Sequence, residues 1–367
     1  MKIVAKVPGK LILLGEYAVL EGGSSLVMTV DRFARVEISF SDQMTFTLQA
    51  PSIGIRNLQF SLDKRGKIQF LSELSPRVEK KLKFFISIFE FGFRLLKKSA
   101  KTLPHSEILL DTDAFFHKNR SIKLGLGSSA ALTVALVAGL IAGSGQSVIE
   151  NDQLFRAAMQ AHRAAQGNVG SGIDIAASIF GGILSYQIDP HAENLNPQIK
   201  QLKMPSNLFM VPVWVGKCSS TSQFVKLFYD FKNKDKRKFA KLVTEMKFVA
   251  DAGKQAFRKQ DISGFLDSIN QYNLLMKKLG EDINAPIVSE EHLRMANLAS
   301  EIGVAYKPSG AGGGDIGLCF ADSEEKFSDL KKASKAAGFE PLDLNFESSG
   351  IHIKSIKVEA SENVAYS

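Results

Sequence analysis

The apolar positions of this chain follow two periods. From Ile3 to Phe70 they alternate with polar ones, or bunch into short runs broken by glycine and proline, as strands do. Ile3 to Gly15 (IVAKVPGKLILLG) predicts two short strands joined at a bend at Pro8-Gly9, and Gly22-Gly23 predicts a turn. Ser25 to Phe40 reads as a strand pair. Phe46 to Phe70 reads as a further strand-rich section with turns at Gly54 and Gly66. From Val78 to Lys98 the period becomes helical, with Leu82, Phe85, Ile86, Ile88, Phe89, Phe93 and Leu95 on one wide stripe. That stripe is core, not a ligand cage.

Glu107 to Asp113 follows as a strand and Ala114 to Ser121 as a polar connection. The longest apolar run, Ala130 to Gly143, falls short of the roughly 18 residues that span a bilayer, so it predicts a buried helix. A second helix, Leu154 to Ala165, ends in a turn from Gln166 to Gly172. Ile173 to Phe180 and the strand Ile183 to Gln187 close this half. Asp189 to Gln201 is polar and carries proline, which places a boundary between domains 1–190 and 202–367. Beyond it the pattern predicts a strand (Asn207 to Gly216) and helices over Ser222 to Tyr229, Asp235 to Gln260, Ile262 to Leu279 and Glu291 to Ile302. A strand (Ile316 to Phe320), a helix (Glu324 to Ala337) and a final strand (Gly350 to Val358) complete it.

Chain length and composition narrow the class. A chain of 367 residues can bury two cores, and its 45% hydrophobic and 23% charged content is that of a soluble globular protein. The net charge of +8 suits small anionic substrates. No basic stripe interleaved with aromatics points to nucleic acid, and nothing points to a membrane. The densest basic run, Lys232 to Lys238, reads as a solvated turn. Two cysteines, Cys218 and Cys319, make neither a disulfide framework nor a metal-ligand spacing, which suits a reducing cytoplasm. Monomer and homodimer are both compatible with this composition.

The stretch that carries chemistry is Lys123 to Gly139, KLGLGSSAALTVALVAG. Gly125, Gly127 and the Ser128-Ser129 pair run into small apolar residues at helical spacing. A glycine turn entering a helix leaves unpaired backbone N–H groups at the positive end of the dipole, a site for phosphate. The competing reading is a tight turn with capping serines. Gly125, Gly127 and Ala130 also fit the dinucleotide fingerprint, but that motif opens its domain and has an acid roughly 20 residues on. Here it lies far into the chain, and Glu150 falls at the start of a helix. No Walker A pattern occurs. Asp174, between a glycine turn and an apolar helix, is either an early-helix acid or a functional carboxylate. Lys10, just past the Pro8-Gly9 bend, can act as a point charge for phosphate. Four glycines in five residues, Gly310 to Gly314, serve close backbone approach.

Three glycine-bearing stretches, PGKLILLGEYAVLEGG, KLGLGSSAA and KPSGAGGGDIG, together resemble the GHMP kinases, the family of galactokinase, homoserine kinase, mevalonate kinase and phosphomevalonate kinase. The resemblance covers essentially the full length. Within the family, AHRAAQGNVGSGIDIAAS, GKCSSTS and SGAGGGDIG look most like the phosphomevalonate kinase branch. Mevalonate kinases usually carry a Mg²⁺-binding glutamate eleven residues before the catalytic aspartate, where this chain has Arg163.

The resemblance implies an α+β, two-domain fold. Its N-terminal domain would be of the ribosomal protein S5 domain 2-like type with a left-handed βαβ unit, and its C-terminal domain ferredoxin-like, with the site between them. It implies Lys10 and Asp174 as catalytic residues. Gly125, Leu126, Gly127, Ser128, Ser129 and Ala130 would hold the phosphates of ATP, with Ser129 on Mg²⁺. Glu16, Tyr17, Ser171, Ser219, Ser220, Thr221, Ser309, Gly310, Ala311 and Gly312 would face a small phosphorylated acceptor, 5-phosphomevalonate. His162 would order the AHRAAQG turn. Mevalonate kinase and a non-catalytic relative of the fold are the alternatives.

Overall fold

The computed structural model describes residues 1–117, 122–146, 149–166, 170–189, 196–216 and 221–356. Two sheets organise them. β1 (Lys2–Leu14) and β2 (Ser25–Phe40) pair antiparallel and form the spine of the first. Each is one continuous strand where the sequence predicts two. Alternation cannot separate a long strand from a hairpin, and the Pro8-Gly9 step is a β-bulge: register slips there and the strand continues. A Cβ on Gly9 would lie 2.8 Å from a Phe115 ring carbon and 2.9 Å from the Leu126 carbonyl oxygen. The bare backbone lets Leu126 reach β1, where the Lys10 N–H donates to that carbonyl at 2.9 Å.

β3 (Phe46–Ala50), β4 (Ile55–Leu62) and β5 (Ile68–Phe70) extend the sheet, with left-handed turns at Gly54 and Gly66 as the sequence predicts. After α1 (Pro76–Lys98), β6 (Ser106–Asp111) inserts between β2 and β3 and runs parallel to β3. The phenylalanine stripe is core: Phe60 and Phe89 meet edge-to-face at 5.3 Å, and Phe85 joins them.

α2 (Ser128–Gly143) packs on β1 and β2 and is enclosed by α1, α3 (Asn151–Gln166) and α4 (Ile173–Phe180). Covered on all sides, it needs no polar face, which explains its unbroken apolar run. β7 (Ile183–Gln187) pairs with β2. β8 (Gln198–Leu202) pairs with β7 inside the segment that reads as a linker. Its five residues are half-buried or exposed, so it has no hydrophobic signal. Residues 190–195 of that segment lie outside the described residues.

The second sheet contains β9 (Phe209–Trp214), β10 (Ala305–Pro308), β11 (Ile316–Ala321) and β12 (Glu340–Pro341), in the order β10-β11-β9-β12, all antiparallel. Between β9 and β10 lie α5 (Thr221–Lys234), α6 (Lys236–Lys259), α7 (Ile262–Asp282) and α8 (Glu290–Glu301). α9 (Glu324–Ala336) follows β11. Period-two alternation divides β11 between two cores. Leu318 and Phe320 join the main core, where Phe320 meets Phe265 of α7 edge-on at 5.3 Å. Cys319 and Ala321 face Met295 of α8 and Leu330 of α9. Burial raises the pKa of the Cys319 thiol and leaves it inert. The last described strand, β13 (His352–Ile356), returns to pair with β1 in the first sheet. Among the described residues no helix is long and apolar enough to cross a membrane.

Candidate active site

A cavity of ≈ 950 Å³ opens where the N-termini of α2 and α4 meet the end of β1 and the loop between β10 and β11. Gly125 (φ 74°) and Gly127 (φ 80°) are both left-handed, and Gly127 caps α2. The first-turn N–H groups of Ser128, Ser129 and Ala130 have no intrahelical partner by geometry, so they suit an anion. Asp174 stands in the first turn of α4, where the dipole favours a negative charge. Lys10 Nζ lies 3.5 Å from Asp174 Oδ1, with 7% of the lysine side chain exposed and 34% of the aspartate. A Cβ on Gly127 would come within 3.0 Å of Lys10 Cε and 3.7 Å of Asp174 Oδ2. The glycine loop therefore lies directly on the Lys10–Asp174 pair.

The third glycine loop is held from several sides. Gly313 N–H donates to the Ile287 carbonyl at 2.7 Å. The Tyr17 hydroxyl donates to the Ala311 carbonyl at 2.6 Å. Ser309 Oγ accepts from the Ile12 N–H at 3.0 Å and donates to the Ile12 carbonyl at 3.1 Å. His292 Nε2 meets the Gly314 carbonyl at 3.1 Å, and its Nδ1 meets the Tyr306 hydroxyl at 2.6 Å. A carbonyl only accepts, so Nε2 carries the proton and Tyr306 donates to Nδ1. Burial pushes His292 down to about 4, which keeps this neutral tautomer at neutral pH.

Most residues that the sequence singles out come to this cavity. Its wall includes Lys10, Glu16, Tyr17, the whole run Gly125 to Ala130, Ser171, Asp174, Thr221, Ser309, Gly310 and Ala311. Gly312 is turned away: a Cβ there would lie 2.3 Å from the Ile287 carbonyl oxygen. The Glu16 carboxylate is engaged by Lys307, and the hydroxyls of Tyr17 and Ser309 serve the seam between β1 and the third loop. Ser219, Ser220 and Cys218 lie outside the described residues.

His162 also lines the cavity, and its Nε2 has no hydrogen-bond partner among the described residues. Burial lowers its pKa, opposed by the charge of Asp174. The neighbouring Arg163 donates through its guanidinium to the Gly170 carbonyl at 3.2 Å, in the turn after α3. Lys123 and Asp315 complete the charged wall. Asp315 sits at positive φ (60°) with its carboxylate 2.8 Å from where a Gly125 Cβ would be, so the second and third glycine loops touch. Density of glycine marks both loops in the sequence, but nothing there marks their contact.

Residues 93–182 match the GHMP kinases N terminal domain. The phosphomevalonate kinase of Streptomyces sp. (strain CL190) is 27% identical, covering 95% of this chain and 98% of that protein. The mevalonate kinase of Thermococcus onnurineus is 24% identical, covering 97% and 99%. Streptococcus pneumoniae phosphomevalonate kinase, solved in complex with phosphomevalonate and AMPPNP, superposes with a TM-score of 0.75 at 20% identity. That match covers 94% of this chain and 99% of the other. The chain thus carries a GHMP kinase N-terminal domain at residues 93–182, and it shares the α+β fold of the solved phosphomevalonate kinase.

Proposed function

We propose that this protein transfers the γ-phosphoryl group of ATP to the phosphate of 5-phosphomevalonate, giving 5-diphosphomevalonate. The observation that carries this reading is Arg163, which lines the cavity with its Nε buried and without a hydrogen-bond partner among the described residues. It stands eleven residues before Asp174, where a carboxylate would suit a metal ion. A guanidinium instead suits a phosphate, which it can bind through two parallel N–H bonds. Lys10 and Lys123 add positive charge to the same wall. The GHMP fold, the relatives that are mevalonate-pathway kinases, and the AMPPNP complex of the pneumococcal neighbour support ATP as donor.

Phosphoryl transfer needs in-line positioning and stabilisation of charge on the transferring group. A phosphate monoester has its second pKa near about 6, so at neutral pH the acceptor is already mostly a dianion. The chain then need not remove a proton. Its task is to bring two polyanions together, with the amides at the α2 N-terminus on the donor, Lys10 between donor and acceptor, and Arg163 on the acceptor phosphate. Asp174 holds the Lys10 ammonium in place.

Mg²⁺ fits this donor set. Among the described residues no group of three or more His, Cys, Asp or Glu side chains could hold a metal alone. Mg²⁺ is commonly bound by one or two protein oxygens together with substrate phosphates, which Ser129 and Asp174 can provide. When bound it would neutralise phosphate charge.

The test is ADP release from Mg-ATP with mevalonate and 5-phosphomevalonate offered in parallel. Turnover with 5-phosphomevalonate alone is the expected result. Turnover with mevalonate alone would make the protein a mevalonate kinase, with Asp174 as general base toward a hydroxyl. Tight ATP binding without turnover of either would leave a non-catalytic relative.

A further inference from the structure

Lys307 lies on β10, immediately before the third glycine loop, and none of its side chain is exposed. Its ammonium donates to Glu16 Oε1 and to the Pro308 carbonyl, the latter at 2.6 Å. Glu16 stands in the turn that follows β1, has 2% of its side chain exposed and forms part of the cavity wall. Among the described residues its Oε2 has no partner within strict hydrogen-bond geometry, while the backbone N–H groups of Glu16 and Gly310 also favour the charged carboxylate. The two residues are 291 positions apart and share a seam with the Tyr17–Ala311 and Ser309–Ile12 bonds. Burial pushes Glu16 up and Lys307 down, and each opposes the other's shift through its charge.

A carboxylate in the wall of a cavity that receives two polyanions is a liability unless something cancels it. Like charges set against each other at an interface weaken binding steeply, the more so out of contact with water. The cavity holds Lys10 and Arg163 in position to attract a phosphorylated acceptor, and an unmasked Glu16 would oppose both. We propose that Lys307 is a positioning residue that touches no ligand and masks Glu16, so that the acceptor side of the cavity stays open to a phosphate monoester. This rests on the phosphate-acceptor reading above. The mask is internal, held between β1 and β10, so it is present before any ligand arrives.

The experiment compares wild type, Lys307→Met and Glu16→Gln/Lys307→Met. It reads KM and calorimetric affinity for 5-phosphomevalonate and, separately, for ATP, with thermal melting as the fold control. Lys307→Met is expected to weaken the acceptor about tenfold or more while ATP changes little. Removing the uncompensated carboxylate in the double variant is expected to recover most of that loss. A merely structural ion pair predicts something else: acceptor and ATP weakened alike, with no recovery in the double variant. Either of those outcomes overturns the mask. Should Lys307→Met not fold, the double variant decides. With both charges gone it must bind acceptor and ATP within a few-fold of wild type, and a larger loss of acceptor affinity overturns the proposal. Wild-type turnover with each acceptor is measured first, so failure of the substrate reading is seen separately from failure of the mask.

Discussion

Lys10→Met is expected to lower kcat by about three orders of magnitude, the scale seen when one preorganised charge or donor at a transferring group is removed. Both KM values should move by no more than a few-fold. The physical case rests on placement. The stem of Lys10 runs along β1 beneath the bare backbone of Gly127, and its ammonium comes out 3.5 Å from Asp174 between two helix N-termini. Methionine fills the stem's volume without its charge, so packing and melting temperature should hold while the charge between the two polyanions disappears. Lys10→Arg should not rescue. A guanidinium is wide and planar, and the Gly127 backbone leaves it little room above Lys10 Cε. Asp174→Asn separates the two candidate acceptors. With a dianionic phosphate as acceptor, the loss should be smaller than for Lys10→Met, because Asp174 only orients a cation. With a hydroxyl as acceptor, the loss should equal or exceed it, because the base itself is gone. Steady-state ADP release with purified, melt-checked variants measures all three. A Lys10→Met enzyme within tenfold of wild type would reduce the pair to a structural contact.

Much of this architecture is legible in the sequence wherever local rules suffice. The helical stripe of α1, the buried run of α2 and the left-handed glycines at 54, 66, 125 and 127 follow from periodicity and from backbone needs that glycine alone meets cheaply. What stays hidden depends on distant partners. β8 and β12 are too short and too exposed to carry a pattern, and exist because β7 and β9 offer edges to pair with. Pro8-Gly9 reads as a stop because its function, admitting Leu126 to the strand, depends on a residue far along the chain. The same holds at the site. The three glycine stretches are legible as ligand-facing loops, but nothing in the sequence marks Lys307 as buried. Its burial and its bond to Glu16 arise only when β10 is laid beside the end of β1. Charged side chains are rarely buried, so a sequence reading places them outside by default.

Gly181→Ala is expected to cost at least about 3 kcal/mol of stability and to loosen the end of the chain from the first sheet. Two independent penalties add at this position. Gly181 ends α4 at φ 69°, ψ 178°, a region that residues with a side chain essentially do not enter. A Cβ there would also lie 2.1 Å from the Gly350 nitrogen and 2.2 Å from the Ser349 carbonyl carbon, and backbone on both sides cannot yield as a flexible side chain would. The contact is part of a continuous seam. Gly182 N–H donates to the Glu347 carbonyl at 3.2 Å, Ile351 N–H to Ile179 at 3.3 Å and Asp31 N–H to Asn345 at 3.1 Å. These bonds lead residues 345–351 across α4 and β2 to β13, which then pairs with β1. Displacing that segment also disturbs α4, the helix that presents Asp174, so activity should fall with stability. Gly54→Ala is the control. It too has positive φ (77°), but a Cβ there meets nothing within 4 Å, so it isolates the cost of a left-handed alanine, about 1–2 kcal/mol. Urea denaturation of the two variants against wild type gives the comparison. A larger loss for Gly181→Ala, with earlier proteolysis near the C-terminus, is the expected result. Equal losses would mean that the seam between the α4 end and residues 345–351 contributes nothing to holding the last strand in place.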